Sequence, residues 1–126
     1  MNDRDFHEEQ LGLFRAFAER LETIAAAPGG EPLAELSDQI RGLAAAPERF
    51  LDDGPPVIAR LLTTAPQVAE HFPRDLLWYL GAECLHFMPD EEIDSFTALD
   101  EARREADARG ERFNWREARA AQQGLN

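Results

Sequence analysis

The sequence contains no lysine, one cysteine, one tyrosine and no long apolar run. All 13 basic residues are arginine and they face 25 acidic residues, so the formal net charge is −12. Nucleic acids and anionic membranes are bound through cationic patches, so this balance argues against direct binding to either. Excess acid favours solubility and, by charge complementarity, a basic partner. Arginine without lysine, beside abundant alanine, is typical of a bacterium with a GC-rich genome.

The single cysteine also bears on the compartment. Cys84 has no second cysteine in the chain with which to form a disulfide, so nothing indicates an oxidising environment. The first ten residues lack the basic-then-apolar order of a secretory signal. No apolar run approaches the roughly 20 residues of a membrane-spanning helix. We therefore expect a cytoplasmic protein that does not bind membranes.

Sequence motifs for known chemistries are absent. There is no glycine-rich phosphate loop, nucleophile elbow or paired-cysteine zinc pattern. His7 is followed by two glutamates, but no histidine stands four residues later, as the zinc-protease helix requires. The acidic run at residues 90–94 lacks the central glycine of a calcium loop, and a helix dipole already explains it. We expect no enzymatic activity, no metal and no cofactor.

Helical periodicity is the strongest positive signal. Residues 5–27 place Phe6, Phe14 and Leu21 on one face at the spacing of an amphipathic helix. Residues 31–46 repeat that pattern before a proline. A chain of 126 residues is the size of one domain with its own core. We expect one all-α domain over residues 1–126, a helical bundle of five to seven helices.

Two interruptions are expected in that bundle. Residues 52–56, DDGPP, predict a loop. Between residues 93 and 99 the apolar positions are spaced by three only, which predicts a break near residues 95–97. Beyond it we expect an exposed, charged helix. That helix would rest on Leu99, Ala102 and Ala106.

The stretch from Pro73 to Met88 is the richest in large apolar residues, and we expect it to be the central helix. Cys84 and His86 lie within it, about 200° apart on a regular helix, so they cannot ligate one metal. Cys84 falls on the apolar side. Because unpaired cysteine is usually buried, we expect it in the core.

The other side of this stretch carries Tyr79, Glu83 and His86 at spacings of four and three. Glu83 could orient His86, and Tyr79 could add a hydroxyl, which makes this stripe a candidate ligand-binding site. Residues three and four apart are neighbours on any helix. A polar face that meets solvent or another helix is therefore the alternative interpretation.

Two aromatic residues near the C-terminus, Phe113 and Trp115, are candidates for binding a partner protein. Aromatic residues dominate interface hot spots, so the pair could anchor a second protein or a second subunit. The alternative is that they dock the last helix onto the protein's own core. Asn114 and Glu117 have the spacing of a helix-capping box, which predicts where that helix begins.

These observations favour a non-catalytic protein-interaction module: an adaptor, chaperone, inhibitor or regulator. Its partner would be another protein, of basic character, or a second copy in a homodimer. One alternative is a small enzyme or a ligand- or metal-binding protein that uses Tyr79, Glu83 and His86. Another is an acidic mimic of nucleic acid, which needs carboxylates clustered on one face. After Leu99 the carboxylates instead alternate with arginines.

Overall fold

The computed structural model describes residues 1–124, which form seven α-helices, three 3-10 turns and no strand. The predicted all-α fold is confirmed. The helices are α1 (Asp3–Ala26), α2 (Ala34–Ala44), α3 (Phe50–Thr64), α4 (Pro66–Ala69), α5 (Arg74–Leu80), α6 (Asp90–Ala108) and α7 (Trp115–Gln122). The 3-10 turns are Glu31–Leu33, Pro47–Arg49 and Ala82–Phe87. None of the helices in residues 1–124 is both long and apolar enough to cross a bilayer.

The longest helix, α1, begins two residues before the expected start and is capped by Asn2. The Asp5 backbone N–H donates to Asn2 Oδ1 at 2.7 Å, which satisfies one of the donors left over at a helix start. Phe14 and Leu21 are fully buried, as their periodicity requires. Through this apolar face, α1 packs against α2 and α5.

Helix α3 runs through the segment for which a loop was expected. It continues from Phe50 to Thr64 with Pro55 and Pro56 inside it, so the prediction of a loop at residues 52–56 was wrong. A proline removes the N–H that would bond four residues back. Those carbonyls belong to Leu51 and Asp52, which are exposed, so water can satisfy them near the start of the helix.

The stretch from Pro73 to Met88 is helical and packs centrally, but it is not one regular helix. Helix α5 ends at Leu80, and Gly81 adopts φ +66° and ψ −149°, a region that is essentially restricted to glycine. A 3-10 turn then carries the chain to Phe87. Side-chain directions predicted from a regular helical wheel are therefore wrong for the residues after Gly81. Helix α5 packs against α1, α3 and α6.

Helix α6 is continuous, so the break expected near residues 95–97 does not occur. The Thr97 hydroxyl donates to the Ile93 carbonyl at 3.0 Å inside the helix instead of capping a new one. The buried face is not the one expected, because Ala102 is exposed. Its members follow helical spacings of three and four: Phe96, Leu99, Arg103 and Ala106.

Helix α7 is fixed at both ends. At its start, the Glu117 backbone N–H donates to Asn114 Oδ1 at 3.0 Å, as the capping box predicts. Near its end, Gln122 Nε2 donates to the Ser95 carbonyl of α6 at 2.7 Å. Trp115 inserts into the core and is 3% exposed. The helix is thus docked by one aromatic anchor and one side-chain hydrogen bond.

Candidate ligand-binding site

The structure does not assemble Tyr79, Glu83 and His86 into a site. Tyr79 lies at the end of α5 and is half-buried, whereas Glu83 and His86 are exposed on the 3-10 turn that follows Gly81. Within residues 1–124, neither Glu83 nor His86 forms a side-chain hydrogen bond. The hydroxyl of Tyr79 instead shares a 2.5 Å hydrogen bond with Nδ1 of His7 on α1.

Tyr79 is held in an aromatic environment. Its ring meets that of Phe6 edge-on, with centroids 5.3 Å apart. Burial raises the pKa of the Tyr79 hydroxyl above its ordinary value, so the group is neutral at physiological pH. The hydroxyl donates to His7 Nδ1 when that nitrogen carries no proton. This bond ties α5 to α1.

Cys84 is a core residue, as expected. Its side chain is fully buried, and the thiol donates to the Pro55 carbonyl at 3.6 Å. Burial, with a smaller contribution from Glu83, raises the pKa of the thiol to about 12. A thiol in this environment is neither a nucleophile nor a ready metal ligand. In the described part of the chain, no group of three or more His, Cys, Asp or Glu is placed to hold a metal ion.

A cleft of about 470 Å³ opens between α1, α5, α6 and the 3-10 turn after α5, and we name it the Arg103 cleft. Its apolar wall consists of Phe6, Trp78, Tyr79 and Leu85. Its polar wall consists of Asp3, Asp100, Arg103 and Arg104.

Arg103 is the central polar group of this cleft and is only 2% exposed. Its Nε and Nη2 donate to Asp100 Oδ1 at 3.0 and 2.8 Å, and Nη2 also donates to Asp3 Oδ1 at 2.9 Å. Nη1 donates to the Met1 carbonyl at 3.0 Å. The guanidinium lies over the Phe6 ring, 4.7 Å from its centroid. A single side chain therefore joins α6 to the start of α1.

The charges of the cleft compensate one another. Arg104 Nε lies 3.1 Å from Asp100 Oδ2 and 3.8 Å from Asp3 Oδ1, so two guanidinium groups face two carboxylates. The hydrogen bond from Arg103 holds the pKa of the Asp3 carboxyl below its ordinary value. The Arg104 side chain is 64% exposed at the edge of this network. The cleft can therefore receive a flat apolar group against its rings and a polar group near Arg104.

Sequence reasoning missed Arg103, although a signal was present. Phe96, Leu99, Arg103 and Ala106 are spaced by three, four and three, which puts the arginine on the apolar face of α6. A charged residue on such a face requires partners when it is buried. The expected face contained Ala102 instead, so the arginine was taken for part of the solvent-exposed surface.

The two aromatic candidates for a partner site are placed differently from each other. Trp115 packs against Phe6 with centroids 4.5 Å apart and is not accessible as a surface anchor. Phe113 is half-buried, with its ring centroid 6.5 Å from that of Trp115. The position of Trp115 matches the alternative interpretation, in which it docks the last helix onto the core.

Fold and site together define an all-α protein with an arginine–carboxylate cleft. The chain belongs to the PA2817-like family, whose family model matches residues 4–125. No curated protein and no solved structure matches it. The matched range includes α5, α6 and nearly all of α1, so the family's extent covers the helices that build the Arg103 cleft.

Proposed function

We propose that this protein binds a small organic molecule in the Arg103 cleft without transforming it. The observation that carries the proposal is an almost fully buried arginine, held by two carboxylates, in the wall of a cleft with three aromatic rings. At about 470 Å³ the cleft falls within the range of roughly 300–1,000 Å³ that ligand pockets occupy. Apolar walls with a few convergent polar groups are the usual composition of such pockets.

The energetics of the ion-pair network support a role beyond folding. Desolvating an arginine and a carboxylate is costly, and a well-packed apolar replacement is often as stable as a buried ion pair. Asp100 is 14% exposed on its side chain, so this pair is substantially desolvated. A network of this kind beside an open cleft favours a site in which polar groups are fixed in advance for a ligand.

The charge balance indicates the ligand class. Because the two arginines are matched by two aspartates, a neutral or zwitterionic molecule suits the cleft better than a strongly charged one. Its flat apolar part would lie against Trp78 and Tyr79, the half-buried rings of the cleft. Its polar group would meet Arg104.

Binding is favoured over catalysis by the state of the reactive groups nearby. The pKa of Tyr79 is raised by burial, which makes its hydroxyl a poor general base at neutral pH. The thiol of Cys84 is buried, and its pKa is raised to about 12. Arg103 already donates four hydrogen bonds to protein groups. None of these groups is poised as a nucleophile.

A fragment screen by nuclear magnetic resonance tests the proposal. Planar neutral or zwitterionic fragments should shift backbone amides around Trp78 and Arg104 in the full chain. Leu85→Trp should fill the cleft and abolish those shifts, and Arg104→Ala should weaken them. Arg109→Ala, directly after the end of the same helix and similarly exposed at 57%, is the matched control and should have no effect. A screen without any fragment that shifts the cleft amides at millimolar concentration contradicts the proposal.

The protein-interaction role expected from composition is the second candidate, in a bacterial, cytoplasmic setting. Among residues 1–124, the large hydrophobic residue that is exposed to solvent is Leu51, with 43% of its surface accessible. A basic partner protein would therefore be held by charge rather than by an apolar patch. Light scattering at low and high salt tests the homodimer, whose two acidic copies repel each other less and should associate more as salt rises. The nucleic-acid mimic has no comparable support, because Asp100 is paired with arginines.

A further inference from the structure

A second cleft, of about 320 Å³, lies between α5, α6 and α7 and differs from the first in its charge. Three arginines line it, Arg74, Arg116 and Arg119, against a single carboxylate, Asp75. The chain as a whole carries a net charge of −12. The cleft therefore has a local excess of guanidinium groups in an otherwise acidic protein. We name this site the Arg119 cleft.

The three arginines are not equally available. Arg74 is committed to Glu92, to which both Nε and Nη2 donate, and Nη2 also donates to the Phe87 carbonyl at 3.1 Å. Arg116 is exposed and has no carboxylate within 4.0 Å in the described part of the chain. Arg119 likewise has no such carboxylate among residues 1–124. The positive charge of the cleft therefore comes from Arg116 and Arg119.

Arg119 is positioned in advance by neutral contacts. Its guanidinium lies over the ring of Phe96 at 4.0 Å from the centroid, and its Nη1 donates to Gln122 Oε1 at 2.9 Å. Gln122 in turn donates to the Ser95 carbonyl at 2.7 Å. Stacking and an amide hold the group without neutralising its charge, so the remaining N–H donors can serve an anion.

The remainder of the cleft is apolar. The rings of Phe96 and Trp115 are stacked, with an interplanar angle of 12°. Both residues are almost fully buried at the base of the cleft, where Arg119 covers the ring of Phe96 and Ala120 is half-buried. Arg116 and Arg119 are three residues apart on α7, which puts them on the same side of the helix. Two guanidinium groups beside an apolar base suit an anion that carries a small apolar part better than a bare inorganic ion.

We propose that the Arg119 cleft binds a small organic anion, with its carboxylate or phosphate group between Arg116 and Arg119 and its apolar part beside Ala120 at the base of the cleft. This site is separate from the Arg103 cleft. It does not depend on what that cleft binds.

Titration of the 126-residue chain with benzoate and phenyl phosphate tests the proposal. Benzyl alcohol serves as the uncharged analogue and inorganic phosphate as the anion without an apolar part. The indole N–H of Trp115 and the amides of α7 are followed by nuclear magnetic resonance. We expect both aromatic anions to shift these signals saturably. Both analogues should bind at least tenfold more weakly, a difference on the order of the free energy of one charged hydrogen bond.

A charge-matched pair of double variants isolates the two arginines. Arg116→Gln with Arg119→Gln should raise the dissociation constant for benzoate at least tenfold, on the order of one charge-assisted hydrogen bond. Arg20→Gln with Arg60→Gln changes the net charge by the same amount at two exposed positions elsewhere. This control pair should leave the dissociation constant for benzoate unchanged. If the first pair does not fold, Arg116→Gln alone decides, because that side chain is exposed. Equal weakening in both pairs, or equally tight binding of benzyl alcohol, overturns the proposal.

Discussion

Two arginines of this protein are stacked on phenylalanine rings, and their surroundings differ. The guanidinium of Arg103 lies 4.7 Å from the centroid of Phe6, and that of Arg119 lies 4.0 Å from the centroid of Phe96. Both phenylalanines also pack against Trp115. Arg103 is 2% exposed and bound to two carboxylates, whereas Arg119 is partly exposed and bound to a neutral amide.

The difference follows from the cost of burying a charge. A guanidinium that loses nearly all its water needs carboxylates close by, or it cannot remain ionised in the core at an acceptable free energy. A partly exposed guanidinium keeps some hydration, so a ring and an amide are enough to fix it. Arg103 is therefore part of the scaffold of its cleft. The charge of Arg119 stays available to a ligand.

The largest expected effect on stability comes from removing the guanidinium group of Arg103, and removing that of Arg119 provides the comparison. Arg103→Met should lower the free energy of unfolding by about 3 kcal/mol, because it leaves Asp100 partly desolvated and without its main partner. Arg119→Met should lower it by about 1 kcal/mol or less, since only a stack and a neutral hydrogen bond are lost. Urea unfolding of both variants measures the difference. Equal losses would contradict the assignment of Arg103 to the scaffold.

The two clefts also differ in the backbone that builds them. The Arg103 cleft depends on the turn at Gly81, which carries Leu85 into its wall. Gly81→Ala should destabilise the fold by about 2 kcal/mol, because φ +66° with ψ −149° is strained for alanine. Gly12→Ala is the matched control: Gly12 lies in α1 with nothing within 4 Å of an added Cβ. It should stabilise by about 0.5–1 kcal/mol.

Thermal unfolding of these two glycine variants should therefore move in opposite directions. A fall in melting temperature for Gly12→Ala as large as that for Gly81→Ala would show that the loss is not specific to the turn. Fragments that bind the Arg103 cleft should also lose affinity in Gly81→Ala. Benzoate binding at the Arg119 cleft should be unaffected, because regular helices form that site.

The smallest expected effect is on the pH dependence of stability, and it arises from Asp3 in the Arg103 cleft. The hydrogen bond from Arg103 lowers the pKa of Asp3 from its ordinary 3.8. Its contribution to stability is therefore complete at pH values above that ordinary pKa and is lost as the pH falls through the lower, folded pKa. Asp3→Asn should be less stable than the natural protein at neutral pH. The difference in stability between Asp3→Asn and the natural protein should narrow in acid below pH 3.8.

Urea midpoints measured from neutral pH down into this acidic range check the prediction. Glu8→Gln is the control, because Glu8 is exposed and has no ion-pair partner among residues 1–124. A gap between Asp3→Asn and the natural protein that stays constant throughout would contradict the role given to Asp3.

Local sequence patterns predicted the helices wherever periodicity and caps agreed. Helix α1 begins two residues earlier and ends one residue earlier than expected, and Asn114 starts α7 as its capping box indicates. The patterns failed where a local signal had two physical outcomes. Pro55 and Pro56 can break a helix or occupy its early turns, and Thr97 can cap a helix or bond within it.

The candidate site was harder to predict because its parts are distant in sequence. Arg103 bonds to Met1 and Asp3, which lie 102 and 100 residues away along the chain. No local pattern encodes that contact. The spacing of Arg103 on the apolar face of α6 was the one available signal. The Tyr79, Glu83 and His86 stripe assumed a regular helix, and Gly81 ends that regularity.

One measurement tests the contrast between the clefts most directly. The arginine Nε–H signals of nitrogen-15-labelled protein can be followed individually during a titration with benzoate. We predict that benzoate shifts the signals of Arg116 and Arg119 saturably and leaves that of Arg103 unmoved. At high salt, benzoate should no longer shift the signals of Arg116 and Arg119. Shifts at Arg103 without shifts at Arg116 and Arg119 would contradict the account.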